Sequence, residues 1–275
     1  MRILILGAGG FVGGAVAARL AGHELTLPSR EPGRLAAAFP GASVPPFTED
    51  LAALAAACRP EVVINLLGII KEGPGAGFDL VHRDYTERLL AGARAAGAKK
   101  FVQMSALGAA PDAPSAYHRS KYAGEEAVRA SGIPYVIFRP SFIDGAGQRL
   151  RAELAALARF LPVFAAPSDA LAAPVKVEEV AECFRRAAED PGLKDETFEL
   201  GGGRVVSFRE IIKDSLAAAG TPRPVLGLPR ALFRPLLPLF ALLPSPPMTR
   251  EQYLMMSSPN VPSGRFRGLK DLLRG

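Results

Sequence analysis

The run LILGAGGFVGGAVAARL (Leu4–Leu20) constrains this chain more than any other stretch. An apolar strand pattern, RILIL (Arg2–Leu6), passes directly into Gly7, Gly10 and Gly13, and these open an alanine-rich helix. Glycine lets the backbone turn tightly and lets a bulky anion approach it closely. The helix that follows offers unpaired N–H groups and the positive end of its dipole. Strand, glycine loop and helix in that order are the setting a phosphate-cradling loop needs. The stricter GxGxxG fingerprint fails, because Val12 stands where its last glycine belongs. A tight strand–helix turn without a ligand is the alternative.

The rest of the chain supplies the context. Short apolar runs follow at ELTLP (Glu24–Pro28), ASVPP (Ala42–Pro46), VVINLL (Val62–Leu67), FVQMS (Phe101–Ser105) and YVIFRP (Tyr135–Pro140). Helical patterns lie between them, near 11–21, 31–39, 49–58, 78–97 and 116–131. Strand–helix alternation predicts βαβ units in an α/β fold with a doubly wound parallel sheet. The nearly continuous apolar character of the strands suits a sheet covered on both faces. The expected division is a dinucleotide-binding domain over 1–170 and a smaller C-terminal lobe over 191–275. The amphipathic helix at 175–190 is expected to pack back onto the first domain. Ser207 and Glu210 predict a capping box for the helix in SFREIIKDSLAAAG, and Thr249 an N-cap for MTREQYLMMS.

Composition excludes several classes. Of 275 residues, 49% are hydrophobic and 22% charged, so the chain can bury a large core and does not read as disordered. The net charge of +6 is mild, and no nucleic-acid motif accompanies it. Three scattered histidines and two cysteines, Cys58 and Cys183, show no metal-ligand spacing, so no metal site is expected. Those cysteines read as small core residues of a protein in a reducing compartment. The immediate strand pattern without a leader predicts a cytoplasmic, or membrane-peripheral, protein.

Two further features carry chemistry. An acidic residue commonly ends the second strand of an NAD-specific site and binds the ribose hydroxyls. Here LPSREPGR places Ser29 and Arg30 there, and Glu31 one step later. Arginine suits a 2′-phosphate through a forked, charge-assisted contact, so NADP(H) is favoured over NAD(H). A solvated loop arginine is the alternative. In SAYHRSKYAGEEA (Ser115–Ala127), Tyr117 and Lys121 stand one helical turn apart. A nearby ammonium would lower the tyrosine pKa from its ordinary value. Ser105 closes a parallel strand at the end where such sheets bind ligands. Its hydroxyl would hydrogen-bond a carbonyl or alcohol while Tyr117 moves the proton. Lys121 would also hold the nicotinamide ribose. An i,i+4 pair of Lys121 with Glu125 is the alternative.

With these motifs on the page, the chain resembles the short-chain dehydrogenase/reductase superfamily in its extended or atypical branch, over residues 1–220. The resemblance rests on GxxGFxG, NLLG, Ser105, YHRSK and RPS. VVINLLGI, VQMSALGA, YHRSKYAGEEAV, PVKVEEVAE and MTREQYLMMSSPNV narrow it to relatives of the nucleotide-binding accessory subunit of respiratory complex I, the NAD-dependent epimerase-like proteins. It implies a Rossmann-type fold and an oxidoreductase or epimerase acting on a small carbonyl or hydroxyl substrate. It equally implies, as the alternative, a non-catalytic dinucleotide-holding subunit or assembly factor of a membrane respiratory or quinone-related system. By the same resemblance, Phe11 and Val12 donate backbone N–H groups to the cofactor. Asn65 and Gly68 pass under its adenosine side, and Pro140 and Ser141 lie beside the nicotinamide. The pattern departs at His82, where asparagine is usual, and at Tyr85, where glycine is usual.

ALFRPLLPLFALLP (Ala231–Pro244) is too short and too broken by proline to span a bilayer. It is expected either to cap the substrate pocket or to make a peripheral membrane or membrane-complex contact through 228–248.

Overall fold

The structure, a computed structural model, describes residues 1–242 and 246–273. The first βα unit is β1 (Arg2–Leu6) and α1 (Phe11–Arg19), followed by β2 (Glu24–Thr26), α2 (Pro32–Ala38) and α3 (Leu51–Cys58). The chain continues through β3 (Val62–Asn65), α4 (Tyr85–Ala95), β4 (Lys100–Met104), α5 (Ala116–Ala130) and β5 (Tyr135–Pro140). The central sheet runs β2-β1-β3-β4-β5, then Glu196–Leu200, then Arg267–Gly268, and every pairing is parallel. Chain order reverses beside β1, whose neighbours are β2 and β3. The crevice beyond the carboxyl ends of β1 and β3 is therefore the topological switch point where such sheets bind ligands.

Alternation along the strands builds a core on each face. Ile3 and Ile5 face α1 and the later helix α7 (Val177–Glu189), while Leu4 and Leu6 face α3 and α4. All four are fully or almost fully buried, as a sheet sandwiched between helices requires. Helix α7 packs on α1 through Val180, Cys183, Phe184 and Ala187, as its amphipathic pattern predicts.

Two expectations take a different form. ASVPP does not complete a regular strand. Ser43 and Pro46 make isolated parallel bridges to Thr26 and Ser29 at the sheet edge, because Pro45 and Pro46 carry no N–H with which to extend a ladder. The region after 191 is shared between two bodies. Phe198 and Leu200 are buried in the sixth strand of the main sheet, and Arg267–Gly268 forms the seventh. The smaller lobe consists of α6 (Arg149–Leu157), α8 (Phe208–Ala218) and a ribbon of Phe164–Pro167 paired with Val225–Leu228, around Leu154, Phe164, Ile212, Leu216 and Val225. The Ser207/Glu210 capping box and the Thr249 cap both form. The expected cap-or-contact segment becomes a 3₁₀ turn at Arg230–Leu236 and a short helix at Leu237–Phe240. Its last two residues, Leu243 and Pro244, lie outside the described residues, as does Ser245 within 228–248. Among the described residues no helix is long and apolar enough to cross a membrane.

Candidate functional site

The glycine loop is shaped by contacts that no side chain would allow. Gly7 has φ +83°, a left-handed conformation suited to glycine. A Cβ on Gly13 would lie 2.0 Å from the Gly7 carbonyl oxygen, so α1 starts against the turn only because Gly13 has none. Gly10 caps α1 through its backbone, and the first turn holds no acidic residue. The N–H groups of Phe11, Val12 and Gly13 have no acceptor among the described residues. An anion is the complement of such an end.

Ser29 lies beside this loop, its Oγ 3.9 Å from where a Gly9 Cβ would stand. The hydroxyl accepts from Glu31 N at 3.0 Å. Glu31 pairs with Arg34 at 3.4 Å, and the exposed Arg30 has no ion pair among the described residues. The Tyr85 ring lies under Arg88, 5.5 Å from its guanidinium carbon.

The residues expected at the nicotinamide end gather at the carboxyl ends of β3 and β4. Lys121 is 3% exposed, and its Nζ donates to Met104 O at 3.2 Å and to Leu67 O at 3.5 Å. It lies beneath Gly68, where a Cβ would meet Nζ at 2.9 Å. Among the described residues no carboxylate bonds to it. The neighbouring Glu125 is taken by Arg139, at 2.8 and 2.6 Å, and by Arg129 at 2.8 Å. Burial therefore pulls the Lys121 pKa down to about 8, opposed by the more distant charge of Glu125.

Tyr117 packs edge-on against Phe78, His82 and His118, with ring centroids 5.1 to 5.8 Å away. Burial pushes its pKa up to about 12, and Lys121 makes no contribution that offsets this. The expected lowering by Lys121 is thus absent, because the ammonium is directed at backbone carbonyls instead. Ser105 is buried, its N–H donates to Phe138 O at 2.7 Å, and its Oγ has no hydrogen-bond partner among the described residues. Buried hydroxyls are normally paired, so this one is open to a further polar group.

His82, at the asparagine position, is the residue whose importance the motif reading missed. It lies in a π-helical turn, Leu80–Asp84, that leads into α4, and such turns recur at functional sites. Its Nε2 accepts from Ile69 N at 3.1 Å, which leaves Nδ1 to donate to Ser120 Oγ at 2.8 Å. Ser120 donates in turn to Tyr117 O at 2.8 Å. Burial first, and the Lys121 charge second, hold the His82 pKa down to about 2, so the imidazole is neutral. Gly124 makes this possible, since a Cβ there would lie 2.4 Å from His82 O. His82 thereby ties the 67–69 loop to α5.

Three other expected residues serve the frame. Asn65 is fully buried and spends its side chain on Thr86 at 3.1 Å, Gln103 at 3.0 Å and Leu67 N at 3.2 Å. Pro140 O accepts from Leu107 N at 3.1 Å. Ser141 Oγ donates to Asn260, at 2.6 Å to Oδ1 and 2.7 Å to the carbonyl. Asn260 belongs to a strap that crosses the site from the C-terminal side. Within it Glu251 accepts from Ala116 N at 2.8 Å, at the first turn of α5, and Met255 packs on the Phe78–Ala106–Tyr117 cluster. A cavity of about 230 Å³ lies between the strap and the 107–114 loop, lined by Leu107, His118, Met255, Ser257 and Asn260 among others, with no lysine or arginine. Nothing local in the sequence announces these contacts, because the strap residues stand more than 100 positions from α5.

The donors at α1, the ammonium under Gly68 and the orphaned Ser105 hydroxyl fit a dinucleotide laid across the switch point. Comparison with known proteins agrees. Residues 7–159 match the family model described as NAD(P)H-binding. The chain is 39% identical over 124 residues to a ceramide reductase of Caulobacter vibrioides, covering 44% of this chain and 38% of that one. It is 29% identical over 224 residues to NADH dehydrogenase [ubiquinone] 1 alpha subcomplex subunit 9 of Arabidopsis thaliana, covering 75% and 55%. The chain thus spans about half or less of the length of these curated relatives. The NADPH-dependent quinone oxidoreductase of Escherichia coli, solved with NADPH, shares the fold at a TM-score of 0.69 and 20% identity, with 93% and 87% covered. The chain belongs to the NAD(P)H-binding family, as an atypical short-chain dehydrogenase/reductase-like protein that takes a nicotinamide dinucleotide.

Proposed function

We propose that the protein is an NADP(H)-dependent reductase of a neutral carbonyl compound. The observation that carries this is the buried, unpartnered Ser105 Oγ, which closes the strand running into the Tyr117 and Lys121 cluster. Phe11, Val12 and Gly13 would bind the pyrophosphate through their N–H groups, and Arg30 the 2′-phosphate. Lys121 would hold the nicotinamide ribose at Gly68. A reduced nicotinamide held there would supply a hydride for the carbonyl carbon. Ser105 Oγ donates a hydrogen bond to the carbonyl oxygen and orients it. Tyr117 gives that oxygen its proton, which completes the alcohol. The cavity beside Met255 is lined by Asp112 and His118 and by no lysine or arginine, so it offers no cation to the phosphates of a nucleotide-linked substrate.

A second reading, a dinucleotide-holding subunit or assembly factor without turnover, is favoured by one observation. Tyr117 is buried under Met255 with its pKa raised to about 12. A partner would then contact the smaller lobe, within 228–248. One experiment separates the two. Purified protein and Tyr117→Phe are incubated with NADPH and a panel of uncharged ketones that includes the keto form of a ceramide. NADPH oxidation lost in Tyr117→Phe, with cofactor binding retained, is the expected result. Bound cofactor that no ketone oxidises would leave the non-catalytic reading.

A further inference from the structure

The smaller lobe turns apolar side chains outward where a solvated surface has no use for them. The Phe164–Pro167 and Val225–Leu228 ribbon buries Phe164, Ala166 and Val225 against Ile212 and Leu216. Alternation along a strand sends Val163, Ala165 and Leu226 to the opposite face. That face would ordinarily carry polar residues, yet Val163 is 43% exposed and Leu226 56%. The 3₁₀ turn after the ribbon packs against it, anchored by the buried Phe233. From there Leu232, Leu236, Leu239 and Leu242 follow at helical spacing, and all four are exposed. Arg223 Nη2 donates to Ala158 O at 2.9 Å and brings the end of α6 to the same side. Phe160, just beyond it, is 82% exposed, and Leu242 is 80%.

Basic residues rim this surface. Segments 157–169 and 220–242 contain Arg159, Arg223, Arg230 and Arg234 against a single acid, Asp169. Asp169 is engaged by Arg230 N at 2.7 Å. Arg159 and Arg234 are exposed and have no carboxylate partner among the described residues. Protruding apolar side chains ringed by unpaired arginines match a surface that seats itself in lipid headgroups, with the apolar tips at the acyl boundary and the cations on the phosphates. A protein partner of the usual kind would be met by a flatter patch with aromatic anchors in pockets.

We infer that the smaller lobe docks on an anionic lipid bilayer through Phe160, Leu226 and the Leu232–Leu242 stripe, with Arg159 and Arg234 on lipid phosphates. The inference goes beyond the reading of the nucleotide site and does not require turnover. Arg230 stacks on Tyr253 of the strap, 5.4 Å from its ring centroid, so the docking surface is joined to the segment that covers Tyr117.

The test is flotation of the full chain with vesicles of phosphatidylcholine, with and without about a quarter phosphatidylglycerol, with NADPH binding measured on the same preparation. Binding is expected only to the anionic vesicles, weakening with salt. Phe160→Ser with Leu239→Ser should cut partitioning about tenfold or more, since each loses most of an apolar side chain. Arg159→Glu with Arg234→Glu should cut it by a similar factor. All four positions are exposed, so NADPH binding should persist in the variants. Absent binding, or anionic binding untouched by both pairs, would overturn the inference while leaving the nucleotide site standing. A soluble dimer abolished by Leu239→Ser, with no flotation, would overturn it in favour of a protein occupant.

Discussion

Lys121→Met should make the protein more stable and a worse binder at once. Burial lowers the ammonium from its ordinary pKa of 10.5 to about 8, so the charged form is the one the fold penalises. Below pH 8 the folded and unfolded chains both carry the charge, and the full penalty is felt. A shift of that size is worth about 3 kcal/mol. Between pH 8 and 10.5 the unfolded chain holds the proton more tightly than the folded one, so the wild type gains stability as pH rises. At pH 9.5 about half of the penalty remains. Methionine has a similar length and no charge. Its cost is the loss of the two long hydrogen bonds to Met104 O and Leu67 O, about 1 kcal/mol together. The net gain is about 2 kcal/mol at pH 7 and close to zero near pH 9.5. For 275 residues, an unfolding entropy of about 0.6 kcal/mol/K turns that gain into about 3 °C. Thermal melts of the cofactor-free protein at the two pH values, paired with NADPH titrations, provide the assay. A variant less stable than wild type at pH 7, or equally stabilised at both pH values, would refute the argument that an unpaired buried ammonium is being held for a ligand.

Two more outcomes follow from the same site. Gly13→Ala should destabilise by about 2 kcal/mol or more and lower NADPH affinity, because its Cβ would meet the Gly7 carbonyl at 2.0 Å; Gly14→Ala, with 3.7 Å to its nearest neighbour, should cost little in denaturant titrations, and equal effects would contradict the close-approach reading. Arg30→Ala should weaken NADPH binding about tenfold and leave NADH binding unchanged, since an exposed arginine can act only on the 2′-phosphate; a variant that keeps its preference in paired titrations would place that phosphate elsewhere.

The parts legible in the sequence were those with local grammar. Alternating apolar runs located β1, β3, β4 and β5, and the glycine spacing located the turn before α1. Hydroxyl caps at Ser207 and Thr249 named their helix starts to the residue. The edge segment Ala42–Pro46 failed to extend because two prolines outweighed its apolar pattern. Sheet membership of Glu196–Leu200 and Arg267–Gly268 was hidden because parallel pairing joins residues far apart in the chain. The same distance concealed the strap. Glu251 and Asn260 act on Ala116 and Ser141, which lie 135 and 119 positions away. His82 was visible only as a departure from a pattern. Its role depends on a π-helical turn that periodicity does not encode, and on Gly124, which lets α5 approach it.

The orientation of Lys121 also bears on which direction of reaction the site supports. Motif spacing placed an ammonium one turn from Tyr117, and the usual reasoning makes the tyrosine a base of lowered pKa. In the structure both groups move toward neutrality instead, Tyr117 up to about 12 and Lys121 down to about 8, because burial penalises phenolate and ammonium alike. A tyrosine at about 12 is protonated throughout the neutral range, which is the state needed to give a proton to a carbonyl oxygen. As a base for alcohol oxidation it is poor, with only about one molecule in 10⁵ ionised at pH 7. On the reductase reading proposed above, this protonation state suits reduction better than oxidation. Alcohol oxidation should rise about tenfold per pH unit from pH 7 to 9, while ketone reduction over the same interval should not rise at all. Initial rates in both directions across that range test this. Oxidation as fast at pH 7 as at pH 9 would mean that Tyr117 is ionised by a partner acquired on binding, and that the resting geometry of Lys121 is not the one that acts.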